Sequence, residues 1–298
     1  MKRLLLLLAC SVLLVSCGVF RNRSSVRYYP GPAIRESEYK PENIVEEVRY
    51  PGSVPGPSYR RMILYLPKDY YNSNKRYPTF YLLHGAHGYE TAWIRYGRVY
   101  QTADSLWREG KAVPCIIVMP NVNQYNDDED YEGGRYKDAF ESIMEVDGVV
   151  ESAFRKDVVQ FVDSLYRTVP EKDHRAVAGL SIGGWQSVFL AANNPDTFGY
   201  VGAFSPYTWG MSKPSPYRRK FYGRMYSKLR KQFQDPPKGY YLYAGSKDIM
   251  RPSTIRFHQI LEKYNYPHQY HKFPGAHTWN GGGWKEEFAD MFQKVFKD

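Results

Sequence analysis

Three residues in chain order carry the chemistry this sequence offers: Ser181, Asp248 and His277. Ser181 lies in Gly179-Leu-Ser-Ile-Gly183, a Gly-x-Ser-x-Gly pattern with a short apolar run before it and a small-residue apolar run after it. That order suits a strand, a very tight turn and a helix, with the serine hydroxyl pushed out at the strand end. Gly179 and Gly183 flank the serine because a Cβ at either position collides with the neighbouring strand and helix. A serine hydroxyl is a poor nucleophile at neutral pH, and an imidazole within hydrogen-bond reach activates it. His277 is placed to take the Ser181 proton and return it to a leaving alcohol. Asp248 is placed to fix the imidazole tautomer and stabilise the imidazolium. Attack on an ester creates an oxyanion, for which the backbone N–H groups of Ile182 and Ala86 are the expected donors. Gly-x-Ser-x-Gly alone also describes a plain Gly/Ser loop. The other two residues, each after its own predicted strand and in the right order, are what lift it above that.

Rivals exist for each partner. His268 and His271 fall before or within a strand, not after it. Asp235 precedes its strand and points to the wrong end of a sheet. His84, after the apolar run 79–83, is expected to support the oxyanion loop and to border the substrate pocket. Trp93, Tyr207, Trp209 and Trp279 fall near predicted strand ends. Their rings suit stacking on a ferulate ring or a sugar, and equally suit packing of loops.

The elements that must position these residues follow from hydrophobic period. Residues 44–50, 60–66, 79–84, 115–119, 175–180, 200–204, 240–244 and 269–273 read as strands, several of them apolar throughout as for strands buried on both faces. Residues 99–109, 149–166, 184–192, 252–264 and 285–296 repeat apolar residues at helical spacing. Residues 206–236, rich in Pro, Tyr, Arg and Lys, read as a helical lid or insertion. Alternation of buried strands with amphipathic helices means an α/β fold with a mostly parallel sheet and helices on both faces. Ligands of such sheets bind at the carboxyl ends of strands. Ser181, Asp248, His277 and His84 all follow strands.

The chain has 298 residues, enough for a substantial core, and 43% of them are hydrophobic. Aromatics reach 16%, with 28 Tyr and 6 Trp, a surplus that suits binding of sugars or phenolic rings. The formal net charge is +10. The basic residues are spread, apart from a concentration over 218–231, and no zinc-finger, RNP-type or heptad pattern accompanies them. They read as solvated surface charge, and nucleic acid is not an expected partner. The acidic stretch 121–138, with Asp127-Asp-Glu-Asp130, lacks the spacing of a calcium loop and reads as a solvated excursion near the site. No metal and no cofactor are expected.

At the N-terminus, Lys2 and Arg3 precede an apolar run over 4–15 that is too short to span a membrane. Leu14-Val-Ser-Cys17 resembles the lipobox of bacterial lipoproteins. That implies a signal peptide over 1–16, a lipidated Cys17, a tether over 17–43 and a catalytic domain over 44–298, anchored through the lipid to the bacterial cell envelope. Of the three cysteines, Cys10, Cys17 and Cys115, only Cys115 then remains free, so no internal disulfide is expected.

The segments Tyr81-Leu-Leu-His-Gly85, Ala178-Gly-Leu-Ser-Ile-Gly-Gly184, Ala244-Gly-Ser-Lys-Asp248 and Pro274-Gly-Ala-His-Thr-Trp279 resemble the esterase D / feruloyl esterase family of α/β-hydrolases, similar to carbohydrate esterase family 1. The resemblance runs from about residue 59 to the C-terminus. It implies the α/β-hydrolase fold, the triad named above and the two oxyanion donors. It also implies an ester hydrolase acting through an acyl-enzyme. An exported member of that family meets environmental polymers, so feruloyl or acetyl groups on xylan-type polysaccharides or oligosaccharides are the expected substrates. The family also contains siderophore trilactone esterases and acyltransferases, and both stay open as alternatives. So does a surface binding protein that keeps the fold without catalysis.

Overall fold

Apolar runs that a strand buries on both faces need cover on both sides, and the fold supplies it. The computed structural model describes residues 40–55, 59–86, 88–123, 148–207, 216–279 and 283–297. The expected signal peptide, Cys17, residues 17–39 of the tether, Trp209 and residues 124–138 of the acidic stretch lie outside them.

An eight-stranded sheet runs in the order β1-β2-β4-β3-β5-β6-β7-β8. Strands β3 (Thr79–Leu83), β4 (Ile116–Pro120), β5 (Arg175–Leu180), β6 (Tyr200–Phe204) and β7 (Gly239–Gly245) are buried along their whole length. The outer strands β1 (Ile44–Pro51) and β8 (Gln269–Phe273) are partly exposed, while β2 (Tyr59–Leu66) is buried over most of its length. The pairs β1/β2 and β2/β4 are antiparallel and the rest are parallel. β4 lies on one side of β3 and β5 on the other, so the connections leaving the sheet diverge there and open a crevice at the carboxyl ends.

Alternate residues along each strand feed the two faces. Tyr81, Leu83, Val177, Val201 and Leu242 join one core, and Phe80, Leu82, Ala178 and Tyr243 the other. The second core is closed by α2 (Val99–Arg108) and α9 (Trp284–Phe292), with Phe288 and Phe292 edge-on to Phe80. The first is closed by α3 (Val149–Phe154), α4 (Gln160–Leu165), α5 (Ile182–Asn193) and α8 (Arg251–Lys263). A short helix α1 (Ala92–Arg95), which the period does not reveal in so few residues, precedes α2.

Two differences from the expected pattern have local causes. The helix expected over 149–166 contains a π turn at Arg155–Val159. There Asp157 is buried and accepts the Ser53 N–H at 2.7 Å. Helix α5 begins at Ile182, immediately after the serine, with no spacer. The insertion over 206–236 is helical where described, as α6 (Pro216–Tyr222) and α7 (Met225–Gln232). Its described part braces α5. Phe221 and Tyr222 pack on Phe189, and the Tyr222 hydroxyl and Gln186 Nε2 both donate to Glu151 Oε1, at 2.9 and 2.6 Å. Phe221, Tyr222 and Leu229 are core residues of that face, which is why this segment is held down.

Candidate active site

The turn between β5 and α5 places Ser181 at φ 55°, ψ −116°, a left-handed conformation that costs a non-glycine residue about 1–3 kcal/mol. Hydrogen bonds from three sides hold it. The Ser181 N–H donates to Phe204 O at 2.8 Å, and Ser181 O accepts from Trp185 and Tyr207 N–H at 3.2 and 2.9 Å. Glycines on either side are obligatory. A Cβ on Gly179 would lie 2.6 Å from the Gly183 carbonyl carbon, and one on Gly183 would strike the His84 carbonyl.

The structure brings Ser181, His277 and Asp248 together. His277 Nε2 lies 2.9 Å from Ser181 Oγ, and His277 Nδ1 lies 2.9 and 3.0 Å from the two Asp248 oxygens. Asp248 follows β7, and its side chain is only 1% exposed. Its Oδ1 also accepts the Met250 N–H at 2.6 Å, which fixes the carboxylate as it faces the imidazole. His277 follows β8 and rests edge-on against Trp284 at 5.0 Å. Ser181 Oγ, its base and its orienting acid form one hydrogen-bonded line, the arrangement that passes a proton from a hydroxyl to an imidazole.

Ile182 is the first residue of α5, so its N–H has no partner within the helix. The His84–Ala86 turn lies against the serine: a Cβ on Gly85 would be 3.4 Å from Ser181 Cβ. The N–H groups of Ile182 and Ala86 therefore belong to two backbones that meet at Ser181.

His84 supports the oxyanion loop, as expected, but it is buried and does not line the pocket. Its ring is 2% exposed, its Nδ1 lies 2.8 Å from Gly85 O, and its Nε2 accepts the Val122 N–H at 3.0 Å. Both nitrogens are committed to backbone, and burial pulls its pKa down to about 4, so the ring is neutral. Trp93 is likewise corrected. It is 1% exposed, donates to Leu83 O at 2.9 Å and packs on Phe204 and Phe288, which makes it core. Trp279 is half-buried between Trp93, Tyr96 and Trp284. Tyr207 is half-buried beside Ser181 through its backbone bond. The rival groups are occupied elsewhere. His268 pairs with His258, His271 with Gln269 and Lys294, and Asp235 with Lys172.

Sequence reasoning missed a polar network under the oxyanion loop. Arg61 reaches Glu90 at 3.2 Å, Asn121 donates to Glu90 at 3.0 Å, and Asn123 donates to Gly88 O at 2.5 Å. The only sequence signal was Asn121-x-Asn123 just after a strand-ending proline.

It also missed Glu287. This carboxyl is 0% exposed, and among the described residues neither oxygen has a hydrogen-bond partner. Gly283 packs on it, and Gly283 in turn lies against Phe273 and Pro274 at the root of the His277 loop. Burial raises its pKa well above the carboxylate range, and the charges of Asp248 and Glu286 raise it further. Tyr243, the other titratable neighbour, is buried and neutral. Burial thus favours the protonated, uncharged form of Glu287.

These observations carry two predictions. A fluorophosphonate should label the wild-type protein and leave Ser181→Ala unlabelled. Ester turnover should fall about 10⁶-fold in Ser181→Ala and about 10⁴-fold in Asp248→Asn, with melting temperatures near wild type; equal labelling of wild type and Ser181→Ala would overturn the nucleophile assignment. Glu287 supplies the second. The unfolded chain releases this proton at ordinary carboxylate pH and the folded chain holds it. Stability therefore drops as pH rises from that range toward the raised pKa. Glu287→Gln should remove this slope, raising the melting temperature at pH 8 by more than at pH 4. A calorimetric loss of stability at both values would contradict a neutral buried acid.

Comparison with known proteins places the chain in a family. The chain is 27% identical over 197 residues to an endo-1,4-beta-xylanase/feruloyl esterase of Xylanibacter ruminicola, a match covering 64% of this chain and 23% of that protein. The chain thus spans about a quarter of that relative's length. Among solved structures, it superposes on a ferulic acid esterase with a TM-score of 0.69 at 22% identity, covering 86% of this chain and 98% of the other. It superposes on a CE1 ferulic acid esterase from Anaeromyces mucronatus, in complex with ferulic acid, with a TM-score of 0.67 at 21% identity, covering 89% and 94%. At such identities the likeness shows the fold, which is that of α/β-hydrolase esterases. The esterase family described as "Putative esterase" matches residues 57–295, and the chain belongs to that family.

Proposed function

We propose that this chain is a serine carboxylic-ester hydrolase that removes feruloyl or acetyl groups from xylan-type polysaccharides or oligosaccharides. The observation that carries the reaction class is the line from Ser181 Oγ through His277 to Asp248, with contacts of 2.9 Å at both ring nitrogens. Ser181 Oγ attacks the ester carbonyl carbon as its proton passes to His277 Nε2. The oxygen that gains charge is met by the N–H groups of Ile182 and Ala86, and loss of one such donor typically costs about 10²–10³ in rate. Collapse of the tetrahedral species breaks the bond to the leaving alcohol, whose oxygen takes the proton from Nε2. A water then attacks the acyl-Ser181 carbonyl, giving a proton to Nε2. The acid leaves and Ser181 recovers its proton. Asp248 stays ionised throughout and holds the Nδ1 proton.

The substrate class is supported by the relative in which a xylanase and a feruloyl esterase are named together. It also fits Tyr207 and Trp279, half-buried rings near the serine and its base. Methyl ferulate or acetylated xylo-oligosaccharides should be hydrolysed, and a panel of acyl esters on the mature protein reads this directly. Cleavage of a short p-nitrophenyl ester with neither of these turned over would remove the carbohydrate assignment and leave the esterase one.

The N-terminal lipobox-like motif supports a second proposal, that the mature protein begins at Cys17 and is held to the bacterial envelope by lipid. Cys17→Ser should move the protein from the membrane fraction to the soluble fraction and abolish incorporation of labelled palmitate. Unchanged membrane retention with no label in either protein would overturn the lipid anchor.

A further inference from the structure

A cavity of about 590 Å³ opens beside the turn that carries Asp248, within the size range of small-molecule sites. Lys247, Arg251 and Arg256 line it, together with Gln259 and the aliphatic side chains of Ile249 and Ile255. The acid in that lining is Asp248, whose carboxylate is turned to His277 and almost fully buried. Among the described residues neither Lys247 nor Arg251 has a carboxylate partner, and Arg251 Nε is buried without a hydrogen-bond acceptor. Cations gathered around one recess repel each other, and an anion among them relieves that repulsion. A guanidinium offers a planar fork that matches a carboxylate. The amide of Gln259 and the aliphatic walls suit the hydroxyls and C–H face of a sugar.

The cavity is joined to the catalytic line. Asp248 borders both. The Ser246 N–H donates to Phe273 O at 2.7 Å and the Lys247 N–H to Gly275 O at 2.8 Å, so its wall is bonded to the strand end and loop that carry His277.

We propose that the cavity lined by Lys247, Arg251 and Arg256 is a subsite for the carboxylate of a uronic acid on the substrate glycan, near the acylated sugar. This rests on the carbohydrate-esterase reading above for its biological setting, and its test does not depend on turnover.

The test is calorimetric titration of the full chain carrying Ser181→Ala with two unacylated xylo-oligosaccharides, one bearing a glucuronic acid branch and one neutral. The acidic one should bind about three- to tenfold more tightly at low salt. The advantage should shrink at high salt as screening shortens the reach of the cations. It should vanish when Lys247→Gln and Arg251→Gln are added and persist in Lys247→Arg, with melting temperatures confirming that each variant folds. Equal affinities, or an advantage that survives the double substitution, would overturn the proposal. Free glucuronate and inorganic phosphate read the cavity separately. Glucuronate should raise the melting temperature of the wild type and not of the Lys247→Gln/Arg251→Gln protein. No glucuronate effect, or phosphate acting as strongly as glucuronate, would overturn the sugar-carboxylate assignment. Failure of the carbohydrate reading shows instead as neutral acetylated oligosaccharides left uncleaved beside a cleaved aryl ester, and the glucuronate shift still decides the cavity.

Discussion

Between β5 and α5 the chain reverses at a single residue, and Ser181 takes φ 55°, ψ −116° to allow it. That conformation is unfavourable, so it persists only where the surroundings over-determine it. The strand pairing of β5 with β6 supplies one restraint through Phe204 O, and the first turn of α5 supplies another through Trp185 N–H. The close approach of Gly179 to Gly183, with the His84 carbonyl just beyond, supplies the third. Because helix and strand touch here without intervening side chains, the hydroxyl stands clear at the strand end. The same compression brings the first free N–H of α5 to within one residue of the nucleophile. The placement of both chemical parts thus follows from one steric constraint.

Electrostatically, the site is arranged so that a single ionised acid faces the base. Asp248 is buried, bonded to both the imidazole and a backbone N–H. His84, the other ring at the sheet edge, is held neutral by burial and spent on two backbone contacts. It contributes shape to the oxyanion loop and no competing proton. Glu287 lies close enough for the Asp248 charge to act on it, and burial favours its protonated form. A second carboxylate there would add repulsion to Asp248 without a cation to answer it among the groups known to face it. Glu90, near the loop, is paired with Arg61 and accepts from the Asn121 amide.

The strands leading to Ser181 and Asp248 were legible as buried apolar runs closed by glycine-bearing turns, and the polar, partly exposed strand before His277 by the Pro274-Gly275 that follows it. β5, β6 and β8 fall at the residues that the pattern predicts. Side chains that act by burial were not legible in the same way. Trp93 and His84 have residue types that suit either binding or packing, and the burial around them decides for core and loop support. Glu287 sits in the first turn of a helix, where an acid is ordinarily a solvated residue that complements the helix dipole. Its burial depends on the approach of Gly283 to Phe273, a tertiary contact with no local pattern. The insertion over 206–236 read as a helical lid or insertion because it is rich in Pro, Tyr, Arg and Lys. Its few apolar residues, Phe221, Tyr222 and Leu229, are what tie its described part to α5.

The spacing of the triad along the sheet explains its chain order. Ser181 ends β5, while Asp248 and His277 follow β7 and β8, the second and third strands beyond it. At about 4.8 Å between strands, the root of the His277 loop starts roughly 14 Å from the serine. An imidazole on a strand end does not reach that far, so the loop must travel back across β7 and β6. Residues 274–277 make this return, and the backbone of Gly275 guides it by accepting the Lys247 N–H. The approach is close: a Cβ on Gly245 would lie 2.7 Å from Gly275 O and 3.1 Å from Asp248 Cβ. Asp248 and His277 are thereby set against each other by backbone contacts before their side chains meet. What remains for the imidazole is a single reach to Ser181 Oγ, and the stiffness of that pair is what keeps it at 2.9 Å.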